Sequence, residues 1–213
     1  MRIGIMKCTS TKFARKMGVA ALAFGLAAQT PALHAQTMVP EAAAALTTTQ
    51  MDPAKAMDKM LTDLESEFVG VAEAMPADKY NFAPSADYFK RGATTNFKGV
   101  RTFGQQVAHV TQMNYYYFGS FAPAKPAVDV NAIANLTSKD DLVKALKDSF
   151  AYGHQAIASI TAQNAFQIVN AKSSATPVTQ TAFAIAHARD HYGQLVEYLR
   201  MNGIVPPASV KQK

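Results

Sequence analysis

Apolar residues recur at intervals of three and four along four segments of the chain, which is the spacing of one face of an α-helix. The first stripe runs from Met57 to Met75, and the last lies within 183–200. Two further stripes lie within 102–121 and 138–160. No segment shows the convincing polar–apolar alternation of a half-buried strand. The pattern therefore predicts an all-α protein, an up-down four-helix bundle whose helices are each about 20 residues long.

Capping residues mark where these helices begin and end. A Ser, Thr or Asp at the N-cap accepts a hydrogen bond from the first turn, and Pro fits the first helical position. Gly after the last turn and Pro beyond it stop a helix. These signals predict helices over 53–75 and 102–121, a third from Ser138, and a fourth over 177–202. The predicted N-caps are Asp52, Thr102, Ser138 and Thr176, and the predicted stops are Pro76, Pro123 and the Asn202-Gly203 pair.

The connection between the first two predicted helices, residues 76–101, is long for a compact domain. Loops of that length are usually functional or mobile. This one carries too many aromatic residues for a bare linker, so we expect it to pack across the bundle and cover one end. These aromatics are Tyr80, Phe82, Tyr88, Phe89 and Phe97.

The first 35 residues have the pattern of a secretory signal peptide. Basic residues without acidic ones precede an apolar run at 18–28, which is too short to cross a bilayer. Small residues before Gln36 predict cleavage there, although Leu33 departs from the usual pattern at the third position before the cleaved bond. An uncleaved membrane anchor is the alternative, which the short apolar run disfavours. We therefore expect a periplasmic or secreted protein with no membrane attachment after cleavage.

The processed chain, residues 36–213, is long enough for one domain with an ordinary core. Residues 36–51 show no clear periodicity and are predicted to form a disordered linker. The helical domain is predicted to span 52–207, and 208–213 to form a short tail. Cys8 is the single cysteine and lies in the signal, which excludes disulfides, thiolate metal sites and cysteine nucleophiles from the processed chain.

Removal of the signal changes the charge of the chain. The full chain has 21 Lys and Arg against 15 Asp and Glu, a net charge of +6. The signal holds five of the basic residues and no acidic residue, so the processed chain has 16 against 15, a net charge of +1. A nucleic-acid-binding domain should show a basic stripe. None is left after cleavage, so no nucleic-acid partner is expected.

Three histidines are the candidate metal ligands. His187 and His191 are four residues apart, which places them one turn apart on one face of the last helix. The H-E-x-x-H metal motif uses this spacing, but its glutamate is absent here. His109, on the flank of the second helix, would supply a third nitrogen from a facing helix. Three protein ligands leave a position for water or substrate, and histidines suit Zn(II), Ni(II), Fe(II), Co(II) or Mn(II). The alternative is that these are ordinary packed or surface histidines.

Other side chains are weaker candidates for a role at this site. His154, on the third helix, is a candidate fourth ligand or general base. It lies one position past the apolar stripe, so an exposed or flanking position is favoured. Tyr116 and Tyr198 each lie seven residues from one of the candidate ligands and could line a pocket, but core packing is favoured. Asp190 is adjacent to His191 in sequence, and adjacent side chains on a helix do not face each other.

The sequence resembles the DinB-like (damage-inducible) superfamily of four-helix-bundle metal-binding proteins, roughly over residues 53–207. In that family a histidine of the second helix and an H-x-x-x-H pair of the fourth bind a divalent metal. The matching positions are His109, His187 and His191. The motifs that carry the resemblance are Glu65-Ser-Glu67 in the first helix, 75–84 after it, 101–109 at the start of the second, and 187–207 in and after the fourth.

The resemblance also implies a range of functions. Family activities include thiol-dependent transfer that uses small thiols such as mycothiol or bacillithiol, and maleylpyruvate isomerisation. Many members are thought to form homodimers through helix faces. An exported chain lies away from the cytosolic thiol pools, which disfavours thiol transfer. We therefore expect an exported metal-dependent transferase or hydrolase that acts on a small-molecule substrate. The alternatives are a non-catalytic metal- or ligand-binding helical module and a structural bundle whose histidines bind nothing.

Overall fold

The computed structural model describes residues 49–92 and 94–210. The predicted signal peptide, most of the predicted linker and the last three residues lie outside these ranges. No β-strand is present in the described ranges, where two residues form an isolated bridge. The all-α prediction is therefore confirmed. The helices are α1 (Pro53–Ala74), α2 (Phe103–Gly119), α3 (Lys139–Ala158), α4 (Pro177–Met201) and the short α5 (Pro207–Val210).

Each long helix begins directly after the residue that was predicted to cap it. In every case the N-cap side chain accepts a hydrogen bond from a backbone N–H of the first turn. These bonds satisfy backbone donors that have no partner within the helix. The cap and donor pairs are Asp52 with Lys55, Thr102 with Gln105, Ser138 with Asp141, and Thr176 with Thr179.

The core lies between the four long helices. Large apolar side chains from all four are fully buried, including Phe68, Phe103, Phe150 and Leu195. Burial of such side chains is the main favourable contribution to folding. None of the helices in the described ranges has an apolar stretch long enough to cross a membrane.

The two middle helices, α2 and α3, lie side by side and run in the same direction. Gly104 near the start of α2 faces Leu142 near the start of α3, and Asn114 further along donates a 3.1 Å hydrogen bond to Ser149. Helix α1 runs antiparallel to α3, and α4 runs antiparallel to α2. The helix directions are therefore up, down, down, up. This differs from the simple alternation expected of an up-down bundle, because the connection over 120–138 is long enough to return along the bundle.

The long connection over 76–101 fastens one end of α2. The Tyr80 hydroxyl donates a 2.6 Å hydrogen bond to the carbonyl of Ala72 in α1. The carbonyl of Phe82 accepts a 2.8 Å hydrogen bond from the backbone N–H of Phe103 in α2. Further along the connection, Tyr88 is exposed. The first part of this segment thus packs over one end of the bundle and holds the first turn of the helix that carries His109.

Candidate metal centre

Three histidines meet between α2 and α4. His109 comes from α2, and His187 and His191 come from successive turns of α4. Their candidate ligand atoms all lie within 4.8 Å of one another. The Nε2 atoms of His109 and His187 are 3.1 Å apart, and the ring centroids of His187 and His191 are 4.6 Å apart. The structure therefore brings together the three residues that were predicted from the sequence to be candidate ligands.

Side-chain hydrogen bonds between α2 and α4 set the register that produces this meeting. At one side of the cluster, Gln106 Nε2 donates to Gln194 Oε1 at 2.6 Å. At the other side, Gln180 Nε2 donates to Ser120 Oγ at 3.0 Å. His109 lies between these two bonds along α2. Because the helices are antiparallel and in this register, the α2 histidine faces the pair on α4 rather than a neighbouring turn.

Burial keeps the three imidazoles neutral at neutral pH. It lowers the pKa of His109 to about 4, assisted by the positive charge of Arg101 and by His187. Burial also lowers the pKa of His191 to about 4, assisted by the two neighbouring histidines, and it lowers the pKa of His187. The carboxylate of Asp190 acts in the opposite direction on the two α4 histidines without outweighing burial. The neutral imidazole is the form that binds a metal ion.

The donor set fits a small divalent cation. Nitrogen ligands lie about 2.0–2.1 Å from zinc, which in a tetrahedral site places two of them roughly 3.3 Å apart. The observed separation between His109 and His187 is close to this value at 3.1 Å. The Nδ1 atom of His191 is buried and has no hydrogen-bond partner among the described residues. Such an atom is unusual in a folded protein, and coordination of a cation is one way to satisfy it.

The cluster contains nitrogen ligands and no carboxylate. Within 49–92 and 94–210, no Asp or Glu joins the three histidines at ligand spacing. His154 also lies elsewhere, between α1 and α3. Its Nδ1 is 2.5 Å from the Asp58 carboxylate and its Nε2 is 3.0 Å from the Glu65 carboxylate. The structure therefore places His154 in an ion pair that links two helices, and not beside the candidate metal ligands.

Of the two tyrosines considered at this site, Tyr198 packs in the core, which was the favoured expectation, whereas Tyr116 does not. Tyr116 is 65% exposed and so points away from the helix interface. Its neighbour Tyr117 instead contacts the cluster, with its ring centroid 5.8 Å from that of His187. Tyr198 is buried, and its hydroxyl donates a 3.1 Å hydrogen bond to the carbonyl of Arg101. Seven residues almost complete two helical turns, whereas eight go about 80° further than two turns, so spacing from His109 favours Tyr116 and does not identify Tyr117.

A surface pocket of about 320 Å³ opens beside His109. Its lining combines one positively charged residue with two amides and small apolar side chains. The pocket gives solvent and small molecules access to one side of the cluster. The lining residues are Arg101, Gln105, Ala108, His109, Gln112 and Ala134.

Comparison with known protein families identifies a match over most of the helical domain. The family model described as the DinB superfamily matches residues 60–195, which is more than half of the chain. The matched range includes all three clustered histidines. A search of curated proteins finds no match.

Proposed function

The chain belongs to the DinB superfamily, and we propose that it is an exported protein that binds one divalent metal ion through His109, His187 and His191. The observation that carries the proposal is the meeting of three neutral imidazoles within 4.8 Å. The donor set suits Zn, Ni, Fe or Mn, and the choice among them depends on geometry and metal supply.

The proposed reaction class is metal-dependent transfer or hydrolysis of a small molecule. A divalent ion held by three histidines supplies a Lewis acid with a coordination position for water or substrate. The chain contributes the neutral ligands, the helix register that fixes them and the pocket beside His109. Tyr117 packs against His187 and restricts the positions available to that ring.

A non-catalytic metal- or ligand-binding module is the second candidate function. One observation favours it: among the described residues, no carboxylate or fourth histidine joins the cluster as a proton-transfer partner. Metal content does not distinguish a binding module from an enzyme, because both bind the ion. Turnover of small esters or thiol acceptors by the metal-loaded protein would identify the enzyme.

Metal content tests whether the three histidines bind a metal ion, which both candidate functions require. The processed chain, residues 36–213, should be purified without a histidine tag and subjected to elemental analysis. We expect nearly one equivalent of metal in the wild type and little in a His187→Ala/His191→Ala double variant. The reason is that a single remaining imidazole cannot hold the ion at the same affinity.

The matched control is His154→Ala, which removes a histidine outside the cluster and should leave the metal content unchanged. A hydrogen bond between two neutral imidazoles would also explain the 3.1 Å separation of His109 and His187. That explanation prevails if wild type and double variant are both metal-free and added Zn(II) or Ni(II) does not bind either.

Export is a separate part of the proposal and rests on the pattern of residues 1–35. Expression of the full chain in a Gram-negative host should yield a periplasmic protein that begins at Gln36, as measured by intact mass and N-terminal sequencing. A cytosolic or membrane-bound protein that retains Met1 would contradict export and leave the metal proposal unaffected.

A further inference from the structure

The pocket beside His109 has an uneven distribution of charge. Its volume, about 320 Å³, falls at the small end of the range for small-molecule sites. Among the residues that the structure describes, Arg101 is the one in the lining that carries a formal charge, and no acidic residue lines the pocket. The lining therefore presents a guanidinium, together with the imidazole of His109, to a molecule that enters.

The backbone of Arg101 is anchored at the start of α2. The Tyr198 hydroxyl donates to its carbonyl at 3.1 Å. The next residue, Thr102, is the N-cap of α2 and makes a reciprocal capping box with Gln105. Replacement of the Arg101 side chain leaves these bonds intact, so it changes the charge of the pocket without removing the anchor of the helix.

The other polar groups of the lining are partly occupied by structural bonds. The amide oxygen of Gln105 accepts from the backbone N–H of Thr102 at 2.9 Å. The amide nitrogen of Gln112 donates to the carbonyl of Val130 at 2.9 Å. These bonds fix the pocket walls. Because the two amides are partly occupied, Arg101 is the charged group of the lining that can recognise a ligand.

Arg101 adds a positive charge beside the histidine cluster, because it lines the same pocket as His109. A bound divalent ion would add two further positive charges to neutral ligands. The nearby Asp190 provides one negative charge, and its carboxylate already accepts a 3.0 Å hydrogen bond from Gln194. The loaded site would therefore be net positive and would favour an anion.

We propose that this pocket is the substrate subsite of the metal centre and that it takes a small carboxylate, whose anionic group pairs with Arg101 while a second group faces the three histidines. The planar guanidinium matches a carboxylate in a two-bond geometry. The inference rests on the proposed function, because without a metal ion the second contact is missing.

The test uses two thiol probes that differ in one charge. The processed chain is loaded with Co(II), and binding of 3-mercaptopropionate and of its methyl ester is followed by the thiolate-to-cobalt absorption band at pH 7.5. The quantity compared is the ratio of the two dissociation constants in each protein. The ratio of the dissociation constant of the ester to that of the acid should be roughly three- to tenfold larger in the wild type than in Arg101→Gln. This is the effect expected of a partly exposed ion pair.

Two further variants complete the design. Arg91→Gln removes a charge from the same connection at a residue outside the pocket lining, and it should keep the wild-type ratio. Arg101→Lys keeps the charge without the planar fork, and its ratio should lie between those of wild type and Arg101→Gln. High salt should reduce the wild-type preference because it screens exposed charges.

The outcomes separate this inference from the proposed function. A cobalt-loaded wild type whose ratio equals that of Arg101→Gln overturns the carboxylate subsite and leaves the metal centre standing. Loss of cobalt by Arg101→Gln would make Arg101 a structural residue and would likewise overturn the subsite. A wild type that does not retain cobalt overturns the metal centre and the subsite together.

Discussion

His154 and the three clustered histidines carry the same side chain in opposite electrostatic surroundings. In the cluster, burial and positive neighbours lower the pKa of each imidazole. At His154, burial alone would lower the pKa, but hydrogen bonds with the carboxylates of Asp58 and Glu65 outweigh it and raise the pKa above 6.5. The cluster therefore stays neutral and able to bind a cation, while His154 is more readily protonated and in its charged form pairs with α1 from α3.

We predict that His154→Gln destabilises the protein at low pH more than at high pH. Because the pKa is raised on folding, the folded state binds the proton more tightly than the unfolded state. The contribution of His154 to the free energy of unfolding is therefore fully present below about pH 6.5, which is its pKa in the unfolded state. It is lost as the pH rises through the higher pKa of the folded state. The loss in free energy of unfolding should be about 1 kcal/mol at pH 6 and smaller at pH 9.

Urea unfolding of both proteins in the presence of a chelator measures this difference without a contribution from bound metal. Glu65→Gln serves as the matched variant, because it removes one of the two carboxylates and should show the same direction of pH dependence. An equal loss at pH 6 and pH 9 would mean that packing, and not the ion pair, is what His154 contributes.

At the residue scale, the sequence predicts a large part of the candidate site. The spacing of His187 and His191 fixes their shared helix face, and the bundle prediction offers His109 on a facing helix, a choice that the family resemblance strengthens. Arg101 could not be identified in the same way, because it lies before a helix cap in a connection without periodicity. Its place in the pocket depends on the bond from Tyr198, a contact across 97 residues of chain.

At the element scale, Gly153 sets how closely the first three helices approach. A Cβ atom there would lie 2.7 Å from a ring carbon of Phe118 in α2 and 3.1 Å from a methyl carbon of Leu61 in α1. Both distances are shorter than normal packing contacts. Gly153 therefore lies where α1, α2 and α3 meet, and its lack of a side chain permits that contact.

We predict that Gly153→Ala lowers the free energy of unfolding by about 1–3 kcal/mol, the usual effect of overpacking a core. This should happen although Ala is a better helix former than Gly by about 1 kcal/mol. Gly193→Ala is the matched control. Gly193 is an exposed residue within α4 with no heavy atom near the added Cβ, so the substitution should stabilise the protein by up to about 1 kcal/mol.

Thermal and urea unfolding of the two glycine variants gives both values. A stabilised Gly153→Ala would show that the ring of Phe118 moves aside at little cost, and that the close approach of the helices is not required. A destabilised Gly193→Ala would instead indicate a contact on the outer face of α4 that the isolated chain does not show.

The helices themselves were more predictable than their arrangement. Caps are local, so Asp52 and Thr176 identify helix starts from a few neighbouring residues. The direction of α3 relative to α2 is not local, because the long connection between them allows either direction. The short helix Pro207–Val210 is not predicted from the sequence, which assigns these residues to the end of the domain and to the tail. Four residues make barely one turn and show no periodicity that sequence analysis can detect.

At the scale of the whole molecule, the candidate metal centre joins two helices that are far apart along the chain. His109 belongs to the second helix and the other two ligands to the fourth, so an ion bound there cross-links α2 and α4 in the folded state. The unfolded chain lacks this arrangement of ligands. Metal binding is therefore linked to folding, and the homodimer implied by the family resemblance stays a separate prediction.

We predict that metal binding raises the melting temperature of the processed chain by roughly 5–10 °C. A ligand present at 100 times its dissociation constant stabilises the folded state by about 2.7 kcal/mol, and 1 kcal/mol shifts the melting temperature of a domain of this size by about 2–4 °C. Differential scanning calorimetry of chelator-treated protein, with and without Zn(II), measures the shift. His154→Gln should show the full shift, because its side chain lies outside the cluster, and His187→Ala/His191→Ala should show little. An equal shift in the double variant would place the bound zinc elsewhere on the protein and would remove the thermodynamic link between these histidines and the fold.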